Sequence, residues 1–264
     1  MVLPIAVHGA AGRMGQRLVA LASQDSDLQL AAALEFSGHP RLGDDAGLVA
    51  GVEKADVPLS ETLDADVGVV IDFSVPEAAE QVTRICQQKQ LPLVMATTGL
   101  DQPQQQLLKD AATVIPIVWA PNMSLAVNLA MKLVVTAGEV LKQVPGGVDV
   151  DIIEQHHRYK QDAPSGTALR FGQLIAGVMG QSNHVHGRQG ITGQRSQDEI
   201  GYHALRVGDH PGEHTIVFGM PGETMELTVR ANSRDSYALG ALQAAKFVVD
   251  QSPGIYSMED VLGL

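Results

Sequence analysis

Leu3-Pro4-Ile5-Ala6-Val7-His8-Gly9-Ala10-Ala11-Gly12-Arg13-Met14-Gly15 decides how the first half of this chain is read. Leu3–Val7 is a short apolar run cut off by Gly9, the pattern of a buried strand. Arg13–Ala22 has helical spacing. The loop between them is Gly9-x-x-Gly12-x-x-Gly15, with Ala10 in the first glycine place if Gly12 and Gly15 take the other two. In that role Gly12 lets a pyrophosphate approach the backbone, and Gly15 lets the helix pack on the sheet. Taken alone, such a loop is also an ordinary glycine-rich turn. The context favours a nucleotide: Leu28–Leu34 reads as a second strand, and Glu35 ends it 20 positions after Gly15. A carboxylate there bonds ribose hydroxyls.

Working outward, Val67–Phe73, Leu93–Ala96 and Val114–Trp119 read as further apolar strands, with helical patterns over Glu77–Gln88 and Gln102–Ala112. Strands that alternate with helices predict a parallel sheet covered on both faces. Ser124–Val144 reads as one long helix, closed by the turn Pro145-Gly146-Gly147. The pattern then changes. Val148–Gln155 is a strand and Thr167–Met179 a helix; Tyr202–Val207, His214–Gly219 and Met225–Ala231 read as antiparallel strands. Gln181–Ile200 is the longest loop and is expected to be mobile. Tyr237–Val249 is a helix expected to return to the first domain. The expected fold class is α/β: an N-terminal doubly wound Rossmann-type sheet over 1–123, an α+β substrate domain over 124–236, and a returning segment over 237–264.

The 264 residues are 45% hydrophobic and 18% charged, ordinary for a globular protein. A net charge of −12 argues against nucleic acid or an anionic membrane as partner. The N-terminus has no basic leader, and no apolar run approaches the ~20 residues needed to span a bilayer. A soluble, cytoplasmic protein is expected. Cys86, the only cysteine, sits in a helical pattern and reads as a buried small hydrophobe.

Glu154-Gln155-His156-His157-Arg158-Tyr159-Lys160-Gln161-Asp162 sets two imidazoles, a guanidinium and an ammonium in five residues. Pro164-Ser165-Gly166-Thr167-Ala168 follows and reads as a helix start, whose free N–H groups and dipole favour an anion. In an acidic chain this points to a pocket for an anionic small molecule, with acid–base chemistry near neutral pH. A bland alternative is a pair of strand-end histidines satisfied by carbonyls. A metal is disfavoured, because His156-His157 with Glu154 lacks His-x-x-x-His spacing and a thiolate partner. His184-x-His186, in the polar loop, reads as solvated.

The segment from Asp151 to Ala168 resembles the signature of the 4-hydroxy-tetrahydrodipicolinate reductase (dihydrodipicolinate reductase) family, with His156, Lys160, Asp162 and Pro164 to Ala168 in register. Asp151 replaces the signature's first acidic residue, and Tyr159 stands where many members carry a third histidine. The resemblance extends over Thr97-Thr98-Gly99, Ala120-Pro121-Asn122-Met123-Ser124 and Gly208 to His214, in effect the whole chain. It implies that His156 is the proton donor/acceptor and Lys160 a proton donor. It implies that His157 and the Gly166-Thr167 backbone bind a substrate carboxylate, and offers Arg234 as a further carboxylate contact or else a surface residue. It assigns Gly9, Ala10, Ala11, Gly12, Arg13 and Met14 to the pyrophosphate and Glu35 to the adenosine ribose. Ala96, Thr97, Thr98, Ala120, Pro121, Asn122 and Met123 fall near the nicotinamide.

The implied reaction sends a nicotinamide hydride to C4 of a cyclic imine dicarboxylate with loss of water, giving 2,3,4,5-tetrahydrodipicolinate in the diaminopimelate route to lysine. The enamine formed must take up a proton, which His156 or Lys160 can supply. A homotetramer built through the second domain is also implied. Two rivals are another nicotinamide-dependent imine or carbonyl reductase and a non-catalytic dinucleotide sensor. The dicarboxylate cradle argues against the first and the proton donors against the second. Phe36 after Glu35 carries no charge for a 2′-phosphate, so NADH is expected to serve at least as well as NADPH unless Arg13, or His39 and Arg41 downstream, supply that charge.

Overall fold

The computed structural model describes residues 2–264. The chain divides into two compact units: residues up to Leu125 together with Arg234–Leu264, and Ala126–Ser233.

The first unit is built on seven parallel strands. They are β1 (Leu3–His8), β2 (Leu28–Leu34), β3 (Leu59–Ser60), β4 (Val69–Asp72), β5 (Leu93–Met95), β6 (Pro116–Trp119) and, from the C-terminal segment, β12 (Gly254–Tyr256). Their order, β12-β6-β5-β4-β1-β2-β3, reverses between β1 and β4, the switch point at which such sheets bind ligands. Alternation along β1 feeds two cores. Ile5 and Val7 pack with α1 (Arg13–Ala22) and α7 (Asp235–Val248), while Ala6 faces α3 (Pro76–Lys89) and α4 (Gln102–Ala111). The short helices α2 (Ala46–Val49) and α8 (Met258–Leu262) complete the unit. Helix α7 is tied to α1 by Arg17 and Asp235, at 2.6 and 3.0 Å. Cys86 is fully buried, and burial pushes its thiol up.

The second unit packs α5 (Leu125–Leu141, its first residue in the other unit) and α6 (Gly166–Met179) on a five-stranded sheet. Its strands are β7 (Asp149–His156), β8 (Asn183–His186), β9 (Glu199–Arg206), β10 (Gly212–Met220) and β11 (Glu223–Ala231), in the order β11-β10-β7-β9-β8.

Two expectations are corrected here. Strand β9 runs parallel to β7 and β8; the antiparallel pairs are β10 with β7 and β10 with β11. Two crossovers cause this: α6 carries the chain back between β7 and β8, and residues 187–198 carry it back between β8 and β9, so each strand is regained in the same direction. The expected Gln181–Ile200 loop contains edge strand β8 and the start of β9, and its arginines bond to neighbouring strands: Arg195 donates to Asp151 and to the Val150 and Glu199 carbonyls, and Arg188 pairs with Asp151 and Glu199. His184 is exposed but not merely solvated: its ring stacks on Tyr202 and Nδ1 lies 2.7 Å from that hydroxyl.

Candidate functional site

In the first unit a pocket of about 610 Å³ opens at the C-terminal ends of β1, β4 and β5. All of the predicted nucleotide residues line it except Ala10 and Ala120. Those two alanine side chains lie in the core, so only their backbone remains to meet a ligand. Glycine geometry explains the loop. Gly9 has φ +77°, and a Cβ there would sit 2.8 Å from the Phe73 carbonyl oxygen. Gly12 is the N-cap of α1 and has no side chain to bond the first-turn N–H groups. Those donors stay available to an anion. Glu35 Oε1 accepts the Ala11 N–H at 2.8 Å, which anchors the loop to the end of β2. The uncapped helix start, the close-packed glycines and the pocket volume together fit a dinucleotide.

Sequence reasoning missed a buried polar cluster behind the pocket lining. Asp72, fully buried at the end of β4, accepts from Ser74 Oγ and Thr97 Oγ1, each at 2.6 Å, and His8 Nδ1 lies 2.6 Å away. Of these, His8, Ser74 and Thr97 line the pocket, and so does Tyr237. The Asp72-Phe73-Ser74 strand end was the available signal for Asp72; nothing local pointed to Tyr237, which arrives with α7.

The signature segment of the second unit folds as the end of β7, a loop and the start of α6. Along β7, Val150, Ile152, Glu154 and His156 alternate onto the buried face. The first two join the apolar core beneath Phe171 of α6; the last two turn that face polar at its C-terminal end. Glu154 is 1% exposed and uses both oxygens twice. Oε2 lies 2.6 Å from His156 Nδ1 and accepts an Arg206 N–H at 2.8 Å; Oε1 accepts the other Arg206 N–H at 2.7 Å and the Ser165 N–H at 3.0 Å. Burial alone would raise this carboxyl, but hydrogen bonds from His156 and Arg206 outweigh it and hold it down to about 2.

His214 of β10 stands opposite Glu154 in register, packs edge-on against His156 at 5.2 Å, and places Nε2 3.0 Å from Ser165 Oγ. Burial, then the charge of His156, pushes His214 down to about 4. Ser165 caps α6 by accepting the Ala168 N–H, and a Cβ built on Gly166 would meet nothing within 4 Å, so the first turn is open to a ligand.

The loop is held by backbone bonds from His157 N–H to His210 and from Arg158 N–H to Gly208. Lys160 pairs with Asp162 at 2.9 Å, and the Asp162 carbonyl accepts from Arg206. His157 Nδ1 is buried with no hydrogen-bond partner among the described residues. Tyr159 is 78% exposed. The structure thus gathers His156, His157, Lys160, Gly166 and Thr167 on one segment and adds Glu154, Arg206 and His214. No group of three or more His, Cys, Asp or Glu able to hold a metal occurs among the described residues, and no helix among them is long and apolar enough to cross a membrane.

Comparison with known proteins gives one consistent result. Residues 3–123 match the family described as dihydrodipicolinate reductase, N-terminus, and residues 126–262 the family described as dihydrodipicolinate reductase, C-terminus. A 4-hydroxy-tetrahydrodipicolinate reductase of Rhodopirellula baltica is 55% identical over 99% of this chain and 96% of its own length. One of Hahella chejuensis is 42% identical over 98% of each. Among solved structures, a dipicolinate-bound dihydrodipicolinate reductase from Paenisporosarcina sp. TG-14 superposes with TM-score 0.79 at 26% identity, covering 97% of this chain and 98% of that one. An amine dehydrogenase from Mycobacterium smegmatis, at TM-score 0.63 and 13% identity over 97% of this chain and 95% of that one, shares the fold.

Proposed function

The chain belongs to the dihydrodipicolinate reductase family, and on that premise we propose how its residues divide the work. The reaction is the reduction of 4-hydroxy-tetrahydrodipicolinate with NAD(P)H, in the diaminopimelate route to lysine. The nicotinamide, when bound, supplies the hydride. The chain's own residues bind, orient and protonate.

Gly12 and the uncapped start of α1 take the pyrophosphate, and Glu35 takes the ribose hydroxyls. The start of α6 at Gly166-Thr167 and the unpaired His157 Nδ1 take a substrate carboxylate. His156 and Lys160 supply the proton that completes the saturated carbon: a C–H bond forms, an N–H bond breaks, and the electron pair stays on nitrogen. The observation that carries this reading is the segment itself. One strand end, one loop and one helix start bring two proton donors beside an anion-binding helix terminus. The dipicolinate held by the Paenisporosarcina relative supports a cyclic dicarboxylate as the ligand of that terminus.

The finer parts of the proposal are NADH at least as good as NADPH and a homotetramer built through the second unit. Arg13 is the only arginine or lysine lining the nucleotide pocket among the described residues, and Arg41 is spent on Asp44 at 3.0 Å. The deciding assay is NADH oxidation that depends on the enzymatically generated precursor. Lys160→Ala and His156→Ala should each lower kcat by roughly 10²–10⁴ at unchanged NADH affinity. Wild-type kcat in both would remove the assignment.

A further inference from the structure

We propose that Glu154 is the positioning residue of the proton transfer: a single buried carboxylate that fixes the proton on Nδ1 of His156 and sets both the Lys160 loop and the start of α6. The inference rests on His156 being the proton donor.

Glu154 is shared by three parts of the site. His156 Nδ1 is 2.6 Å from Oε2. The Ser165 N–H, one residue before α6, is bound to Oε1. Arg206 spans both oxygens and gives a further N–H to the Asp162 carbonyl, two residues beyond Lys160. Each oxygen already accepts twice, so Glu154 has nothing left for a substrate and acts only through its neighbours.

The arrangement selects the reacting nitrogen. An ionised carboxylate only accepts, so the hydrogen between the two groups belongs to Nδ1, and Nε2 is the nitrogen left to exchange a proton with a ligand. A carboxylate that took the Nδ1 proton itself would end that preference. The two Arg206 bonds prevent it by keeping Glu154 ionised. Gly212 keeps Nε2 uncovered, since a Cβ there would lie 2.8 Å from that atom. The titratable groups around the pair are Arg206 on β9, His214 and Glu213 on β10, and Lys160 and Asp162 on the loop; the cap of α6 contributes Ser165, which is not titratable. Burial holds His214 well below the usual imidazole range.

The step is a simple exchange. Imidazolium Nε2–H breaks, the proton joins the electron-rich ring carbon, and the electron pair remains on Nε2. Neutral imidazole then keeps its single hydrogen on Nδ1, against Glu154.

The test compares Glu154→Gln, His156→Ala and wild type, with kcat measured across pH and NADH affinity measured by fluorescence titration. Loss of the anion disfavours imidazolium, so kcat of Glu154→Gln should fall about ten- to hundred-fold. Its loss at high pH should begin about one pH unit lower than in wild type, with NADH affinity unchanged. A reduced kcat in His156→Ala beside a wild-type pH profile in Glu154→Gln would overturn this inference and leave the proposed function standing. Wild-type kcat in His156→Ala would overturn this inference together with the role of His156, and leave Lys160 as the proton donor. If Glu154→Gln does not fold, ¹⁵N NMR of wild type decides, with the His156 signal assigned through His156→Asn. A hydrogen on Nδ1 of the neutral ring supports the proposal, and a hydrogen on Nε2 overturns it.

Discussion

Gly15→Ala should separate nucleotide affinity from fold stability. Gly15 is the third residue of α1, and a Cβ there would collide with the Gly9 carbonyl oxygen and lie 2.6 Å from Ala10 Cα and 2.8 Å from the Ala10 carbonyl carbon. Carbon atoms pack at about 3.5 Å or more, so the helix start must retreat from the loop by about 1 Å. These are backbone atoms, and no side chain can swing aside. Overpacking of this kind costs about 1–3 kcal/mol. Alanine returns about 1 kcal/mol as the better helix former. Net stability therefore ranges from unchanged to a loss of about 2 kcal/mol. Affinity has no such offset. Moving the first-turn N–H groups by about 1 Å removes the equivalent of one hydrogen bond to a charged group, about 1.5–3 kcal/mol. That is about ten- to 150-fold in Kd. Fluorescence titration with NADH and thermal unfolding in the same buffer measure both quantities. A Kd within two-fold of wild type would show that α1 does not present its N-terminus to the cofactor.

Three further outcomes are expected. Thr167→Pro removes one first-turn N–H of α6 at a position where proline is tolerated, so it should weaken inhibition by pyridine-2,6-dicarboxylate, with Thr167→Ala milder; equal affinity in wild type and the Pro variant would place the carboxylate elsewhere. His214 has its folded value pushed down to about 4 from 6.5, so the unfolded chain binds a proton that the folded chain refuses. That contribution is complete above about pH 6.5 and fades as pH falls to about 4, roughly 3 kcal/mol in all. His214→Gln should flatten the melting temperature over this window, and parallel curves for the two proteins would refute the argument. For the cofactor, kcat/KM at one ionic strength should be at least as high with NADH as with NADPH; a ten-fold preference for NADPH would mean that Arg13 serves a 2′-phosphate.

The elements around the glycine loop were the most legible. Arg13–Ala22 and Leu28–Leu34 lie where the sequence puts them, because Gly9, Gly12 and Gly15 punctuate the chain on each side of a strong pattern. Strand β8 was not legible: Asn183-His184-Val185-His186 is polar and at the sheet edge, so it lacks the alternation that a half-buried strand shows. The short β12 was missed because three residues carry no period. The direction of β9 was misread because a pattern of side chains records burial and not partner orientation. At the site, the signature residues were visible as a linear motif, whereas Arg206 comes from 52 residues beyond Glu154, brought there by the pairing of β7 with β9. No local signal announces such a partner.

The return of the last residues to the first unit reverses the usual order of synthesis and folding. Domains commonly fold as the ribosome delivers them, the N-terminal one first. Here the N-terminal unit is the last to be completed. Its sheet lacks an edge strand until Tyr256 has been made, and its nucleotide pocket lacks a wall until Tyr237 has. The inserted unit has all five of its strands by Ala231. A nascent chain therefore carries β1, the glycine loop and most of one apolar core without their covering helix for most of its synthesis. A stop codon just after Ser233, far in sequence from Gly12, would fall on the nucleotide-binding unit and spare the unit that carries the proton donors.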